Sequence, residues 1–471
     1  MSFFGFSIAN SGLMTQQRAI ETLSHNIANA NTPGYSRQTT TIVASTPISS
    51  AGRAGMLGTG AATASIDRQR NGFLDLQYRN ENTKLGEHEM VANTIAQVEG
   101  VFAEPSESGL RMMTERFWTS LHDLSLNPES IAARGSVSET GAALATSLNA
   151  VQQNLKGVRD DLNMRINNSV TDANILANQI SGLNSQIANI TTLGQQPNDL
   201  KDQRDLALDK LSRLMDVKVK ESNDGSIKVT VAGRVLVEGS VAVPLTTQQN
   251  GGGDGYVDIL ASGVPIQAGE IQGELKGLLD LRDGILSDDH PDSIMYKLNH
   301  LATGLAGAVN AQHRLGYDLN GSAGEDFFTS RAGAVIDASS IQVNPHFQNG
   351  VLGLNKIAAA SSSTAGQGDN TNILALIAIK NKAVMSGGKS TLDDYYKESI
   401  TSLGIRGQAA GRMVTNQQNL LDFVSGQRES TSGISMDEEM SDLIRYQHAY
   451  NASARVLSIM DTLLQGIIQG R

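Results

Sequence analysis

The sequence predicts a mainly helical α+β protein. N- and C-terminal helices pair as a coiled coil, an elongated helical bundle forms the body, and a small β-rich outer domain is inserted into that bundle. Three observations carry the prediction. Apolar residues recur at alternating three- and four-residue spacings at both chain ends. A seven-residue repeat runs from Leu148 to Ile190 in mid-chain. One internal stretch, residues 216–270, switches to two-residue alternation.

Composition narrows the function classes. The 471 residues leave room for roughly three domains. Lys+Arg 37 against Asp+Glu 48 gives a net charge of −11, which argues against a sequence-independent grip on nucleic acid or anionic membrane. Aromatics make up 4% and Trp118 is the sole tryptophan, so the core rests on aliphatic residues and alanine. With no cysteine in the chain, disulfides, thiolate metal sites and cysteine nucleophiles are absent. The opening stretch "MSFFGFSIANSGLMTQQ" carries no charged side chain before Arg18 and lacks the ordered parts of a cleavable secretion signal. No apolar run reaches about 18 residues, so no membrane span is expected. The chain is expected either to stay in the cytoplasm or to leave the cell without a cleavable signal.

In the first helix Phe6, Ala9, Leu13, Gln16, Ile20, Leu23, Ile27 and Ala30 form a heptad seam. Arg18 and Glu21 are the only formal charges before Arg37. A helix surface that is polar yet nearly uncharged suits burial against protein, because amides are hydrogen-bonded without the desolvation cost of ions. Pro33 disfavours the α conformation at Thr32, and Gly34 supplies the positive φ of a type II turn. The helix is therefore expected to stop near Asn31. Leu13, Ile20, Leu23, Ile27, Asn29, Asn31, Pro33, Gly34 and Tyr35 are the candidate subunit-interface residues at this end; simple C-capping is the alternative for the asparagines.

A helical pattern begins near Phe73, and a second stripe, Leu110, Met113, Phe117, Leu121 and Leu124, stops at Pro128. The long pattern from Val137 to Ile190 follows, its companion row changing phase near Arg165. Alternation in "DVKVKES" and "SIKVTVAG", joined by the turn "NDG", marks a hairpin, and "GRVLVEG" and "GGGDGYVDIL" add further turns and strands. Helical periodicity resumes at Ile271–Leu286, Leu298–Val309, Thr371–Met385 and Leu392–Phe423, around an irregular, partly β stretch near 318–345. The domain ranges expected are 1–60 with 430–471 for the terminal coiled-coil pair, 61–215 with 271–429 for the bundle, and 216–270 for the β-domain.

The last helix opens with Ser435 and Glu438 in capping-box spacing. Leu443, Tyr446, Tyr450, Ser453, Leu457, Met460, Leu464 and Ile467 make its seam. Two apolar stripes at opposite chain ends pair most simply with each other, with Ile20 and Leu457 as test positions. An isolated pair is marginal, so full ordering against neighbouring copies is expected.

No catalytic constellation emerges. "AVMSGGKS" lacks the first glycine of a phosphate loop and reads as a loop. The eight histidines form no ligand pair on one helix face. Asp199, Asp202 and Asp205 share a helix face, where paired carboxylates could perform hydrolysis. Lys201, Arg204 and Lys210 are interleaved with them, and a helix start itself favours acids. Neither an enzyme nor any cofactor or metal is expected.

"ANANTPGYSR" (Ala28–Arg37) and "EEMSDLIRYQHAYNASARV" (Glu438–Val456) resemble the terminal signatures of the bacterial flagellar axial proteins: rod, hook and hook-associated proteins. "NDLKDQRDLALDKLSRLMDVKV" (Asn198–Val219) and "RESTSGISMDEEM" (Arg428–Met440) are most similar to the hook-associated members at the first hook–filament junction. The resemblance implies a secreted structural subunit of the flagellum, joining hook to filament and required for flagellum assembly and motility. It further implies type III export without a cleavable signal peptide and a place in a ring of its own copies. Implied partners are the hook protein, the second hook–filament junction protein, and an export chaperone covering Leu443, Tyr446, Tyr450, Leu457, Met460 and Leu464. No nucleic-acid or membrane partner is implied. A hook or rod protein is the alternative, and a cell-wall hydrolase a distant third.

Overall fold

A computed structural model describes residues 4–49, 56–102, 104, 106, 109–251, 255–331, 333 and 335–469, side chains beyond residue 466 excepted. Helix α1 (Phe4–Ala28) ends three residues before Asn31, because backbone turns take over at Asn29 and Thr32. Strand β1 (Gln38–Ala44) follows, then the short pair β2 (Ile48–Ser49) and β3 (Met56–Leu57). Strand β4 (Ala61–Arg68) returns antiparallel along β1, with its register shifting between Thr41 and Ile42.

Four helices come next: α2 (Gly72–Phe102), α3 (Leu110–Leu126), α4 (Ile131–Thr192) and α5 (Asn198–Leu214). At 62 residues, α4 is about 90 Å long. Val137, Leu144, Val151 and Val158 are buried at seven-residue spacing, and Ile166, Ala173, Ile180 and Ile187 continue the row one residue out of step. The slip falls at Arg165, where a 3.6-residue helix has drifted against the seven-residue repeat.

The 216–270 stretch holds two antiparallel sheets. Strands β5 (Lys218–Glu221), β6 (Ile227–Val231), β7 (Arg234–Glu238) and β8 (Val241–Ala242) form a meander. Strands β9 (Leu245–Gln249), β10 (Val257–Ala261) and β11 (Val264–Pro265) form the second sheet. Ile227, Val229 and Val231 alternate inward along β6, as the sequence alternation requires. Residues 252–254 of the glycine-rich turn lie outside the described residues. Three asparagines of α4 hold this region. Asn184 donates to Ile227 O and Gly239 O at 2.9 Å, Asn174 donates to Leu245 O at 2.8 Å, and Asn163 accepts from Val257 N at 3.0 Å. Each amide satisfies strand backbone that would otherwise be buried unpaired.

Helix α6 (Glu274–Asp280) continues into a π turn at Leu281–Ile285, and α7 is Ile294–His313. The irregular stretch contains one two-stranded ribbon, β12 (Phe328–Ser330) with β13 (Ile341–Val343). Short helices α8 (Gly350–Leu354) and α9 (Thr371–Ala378) precede α10 (Leu392–Ser432) and α11 (Met436–Gln469). The helical segment starting at Thr371 ends at Asn381, short of Met385, which bridges to Ser390 around the Ser386–Gly388 turn. Helix α10 runs nine residues past Phe423. It lies antiparallel on α2, with Gln417 donating to Glu81 O at 3.0 Å.

His313 lies among Phe327 and Phe347. Its Nδ1–H donates to Glu325 O and its Nε2 accepts from Ala358 N at 2.9 Å. Burial pushes its pKa down to about 4, so the ring is neutral at pH 7.

Candidate functional site

Helix α1 packs on two neighbours. Thr15, Ala19, Thr22 and Asn26, spaced four, three and four, are buried and meet the β1–β4 pair. Thr15 Oγ1 donates to Ala61 O at 3.1 Å, Thr40 Oγ1 donates to Thr22 Oγ1 at 3.0 Å, and Asn26 exchanges bonds with the Gln38 backbone at 2.9 and 3.0 Å. A face that carries Gly5 and Gly12, beside the predicted seam, meets α11 in antiparallel register. Gly5 lies against Met460, Gly12 against Ser453, and Asn26 bonds to Glu439. That register sets Leu457 opposite Ile8. Within one chain Ile20 and Leu457 are therefore about 18 Å apart along the pair, so they are not the crosslinking positions.

Glu439 is fully buried and accepts from Asn26 Nδ2 at 2.9 Å and Arg37 Nε at 2.6 Å. Arg37 also reaches Glu438 at 3.1 Å, and its backbone N–H donates to Ser432 O at 2.9 Å. Tyr35 OH donates to Asn26 Oδ1 at 2.9 Å. Burial, then the charges of Asp199, Asp202 and Glu439, push its phenol above the ordinary range, so it stays a donor. The polar chemistry after the first helix thus clasps α1 to the start of α11.

The same turn is rooted in α5. Asp202 accepts from Ser36 N at 2.9 Å, Ser36 Oγ at 2.8 Å and Arg68 at 2.7 Å. Arg68 also reaches Asp205 at 3.0 Å, and Arg79 reaches Asp209 at 2.8 Å. Arg70 forks onto Asp75 at 2.8 and 3.1 Å. Arg428 of α10 spans Asp75 and Asp209 at 2.8 and 2.7 Å. Four guanidinium groups and four carboxylates balance, which is what burial of ions demands. Burial would raise Asp205, but Arg70, Arg68 and Arg79 outweigh it and hold the carboxyl below its usual range. Gln38 Nε2 donates to Asp199 at 2.7 Å. Gly34, at φ +80°, lets the chain pass Leu206, where a Cβ would come within 3.1 Å. The carboxylate face considered for hydrolysis is thus committed to holding α5, α2 and the β1–β4 hairpin together.

Of the candidate interface residues, Leu23 is buried; Leu13, Ile20, Ile27, Asn29, Gly34 and Tyr35 are half-buried; Asn31 and Pro33 are exposed. Asn29 donates to His25 O at 3.0 Å. Leu443, Tyr446, Tyr450, Leu457, Met460 and Leu464 are all half-buried, while the side chain of Ile467 lies outside the described residues. Away from that seam Val456, Ile459 and Leu463 form an exposed apolar strip at helical spacing on α11, and Ile444 and, on α1, Phe6, Ile8 and Met14 are exposed too. Both helices of the pair thus carry exposed apolar side chains. Sequence reasoning missed Ser36, Arg68, Arg70, Arg79, Arg428 and Glu439. The one available signal was the set of acids at Asp202, Asp205 and Asp209 awaiting partners of opposite charge.

Paired chain ends on a helical body fit an axial structural subunit. Residues 6–35 match the flagella basal body rod protein family, and 426–470 the C-terminal family of the basal body rod FlgEFG proteins. Residues 95–328 match the helical domain of flagellar hook-associated protein FlgK. Flagellar hook-associated protein 1 of Bacillus subtilis is 32% identical, over 100% of this chain and 98% of its own. That of Salmonella typhimurium is 28% identical over 98% and 99%. The flagellar hook junction protein FlgK from Burkholderia pseudomallei shares the fold, with a TM-score of 0.67 at 18% identity, covering 76% of this chain and 100% of that one. The chain belongs to the flagellar hook-associated protein 1 family. It is a non-enzymatic structural subunit of the extracellular hook–filament junction, assembling with flagellar components. No described helix is long and apolar enough to cross a membrane.

Proposed function

We propose that the α1–α11 pair is the contact through which this chain joins neighbouring copies in a ring, with hook protein on one side and the second hook–filament junction protein on the other. The observation carrying this reading is the contrast between a charge-balanced root and an exposed apolar strip on the same pair. In this reading residues 1–60 and 430–471 are the axial core. Residues 61–215 and 271–429 are the body that sets its angle, and 216–270 is an outer domain. Leu13, Ile20, Leu23 and Ile27 align the pair, and Asn29, Asn31 and Pro33 meet the next copy. Gly34 and Tyr35 fix the turn that presents them. Before assembly Leu443, Tyr446, Tyr450, Leu457, Met460 and Leu464 lie in the groove of an export chaperone, as an amphipathic helix does in helix-in-groove recognition. Cells whose only copy carries Leu457→Asp and Leu464→Asp should build hooks, fail to attach filaments and lose flagellin to the medium. Normal filaments on those cells would refute the reading.

A further inference from the structure

A cavity of about 230 Å³ opens between α3, α4, α7 and α10, far in sequence from the terminal pair. Trp118, Leu144, Leu148, Leu305 and the ring of Tyr396 line it. The Tyr396 hydroxyl is already committed, donating to Glu104 at 3.1 Å, so the wall it offers is aromatic carbon. Two ion pairs cross the mouth: Lys380 with Glu115 at 2.7 Å and Arg111 with Asp393 at 3.6 Å. Each charge at the rim is matched by its opposite, so the entrance selects neither anions nor cations.

An apolar cavity of this size holds water poorly and forfeits the packing that its walls would otherwise gain. Smaller apolar cavities admit single aromatic rings. From volume, lining and rim charge together, we propose that this cavity is a binding site for a neutral, mostly apolar ring compound of on the order of ten heavy atoms. Such a ligand touches α3, α4 and α7 at once and stiffens the body at a site separate from the terminal pair.

Trp118 is the only tryptophan in the chain and stands in the cavity wall, so its emission reports occupancy directly. The test is a titration of the full-length protein with bromobenzene, whose heavy atom quenches indole fluorescence on contact. Quenching should saturate, and cyclohexane, which does not quench, should reverse it by competition. Leu305→Phe and Leu144→Phe each place a ring in the cavity and should weaken bromobenzene binding about tenfold or more while raising Tm. Quenching that rises linearly, is untouched by cyclohexane, or is equal in the filled variants would overturn the proposal. Should neither variant fold, the cyclohexane competition on the unaltered protein decides alone.

Discussion

The root of the terminal unit and the helix pair that rises from it solve opposite problems. At the root, Asp202 and Asp205 are buried and surrounded by Arg68, Arg70 and Arg79 of the same chain. Along the pair, none of the described seam residues of α11 is fully buried, and Ile459 is 59% exposed. Ion pairs are directional and costly to leave half-made, so they suit a joint that is completed once, during folding. Apolar surface is non-directional and additive, so it suits a contact completed later by other molecules. In the proposed reading, angle and adhesion are assigned to different chemistry, a few turns of helix apart.

The sharpest way to break this division is to remove one carboxylate from the root. Asp202→Ala leaves Arg68 and Arg70 short of a partner and frees Ser36, and should destabilise the folded chain by about 3–5 kcal/mol, read from urea unfolding. An effect under 1 kcal/mol would mean that the cluster behaves as a surface network.

Acid should separate body from root. His313 has a folded pKa near 4 against an ordinary 6.5, so the unfolded chain binds more protons between those values. Its stabilising contribution is complete above pH 6.5 and falls by about 3 kcal/mol as pH drops towards 4. Asp205 is shifted the other side of that window: held below its ordinary 3.8, it contributes fully above that value and loses its share only as pH falls further. Urea midpoints should therefore decline first through the histidine window, and His313→Gln should flatten that decline while leaving the loss below pH 3.8.

How much of this was legible follows the range of each interaction. The α4 repeat, its phase slip at Arg165 and the alternation in β6 are local periodicities, so they are visible in sequence. The antiparallel register of α1 on α11 is not, because two heptad seams fit in several registers; the bonds from Asn26 and Arg37 to Glu439, some 400 residues away in sequence, select one. Asp202 and Asp205 looked like a solvated helix start because Lys201 and Arg204 sit beside them. Their real partners are on β4, the loop after it and α2, and no spacing rule connects those elements. The clamping asparagines of α4 were hidden for the same reason, as an amide in a helix announces neither its partner nor its burial.

A milder change tests the clasp. Glu439→Gln keeps its shape but leaves Arg37 without its buried counter-charge, at a cost of about 1–3 kcal/mol. Because Arg37 also holds the Ser432 carbonyl, the loss should be local: faster proteolysis around residues 433–440, with the urea midpoint of the body unchanged. If body and clasp were lost together, root and pair would be one cooperative unit and the contrast between them would fail.

The smallest expected effect on the single chain is the most informative about assembly. Ile459→Ser removes an exposed side chain and should change stability by less than about 0.5 kcal/mol, yet it interrupts the strip that the proposed contact uses. Register is checked in parallel. The chain has no cysteine, so Gly12→Cys with Ser453→Cys gives a single possible disulfide, at positions whose Cβ atoms would lie 4.0 Å apart, within the normal range for such a bond. Oxidation in dilute monomer should form that bond within one chain, and Ile459→Ser should leave its yield intact while abolishing incorporation into junctions. If the yield instead rises with protein concentration, the pair is completed by other copies, and adhesion and alignment reside in the same surface after all.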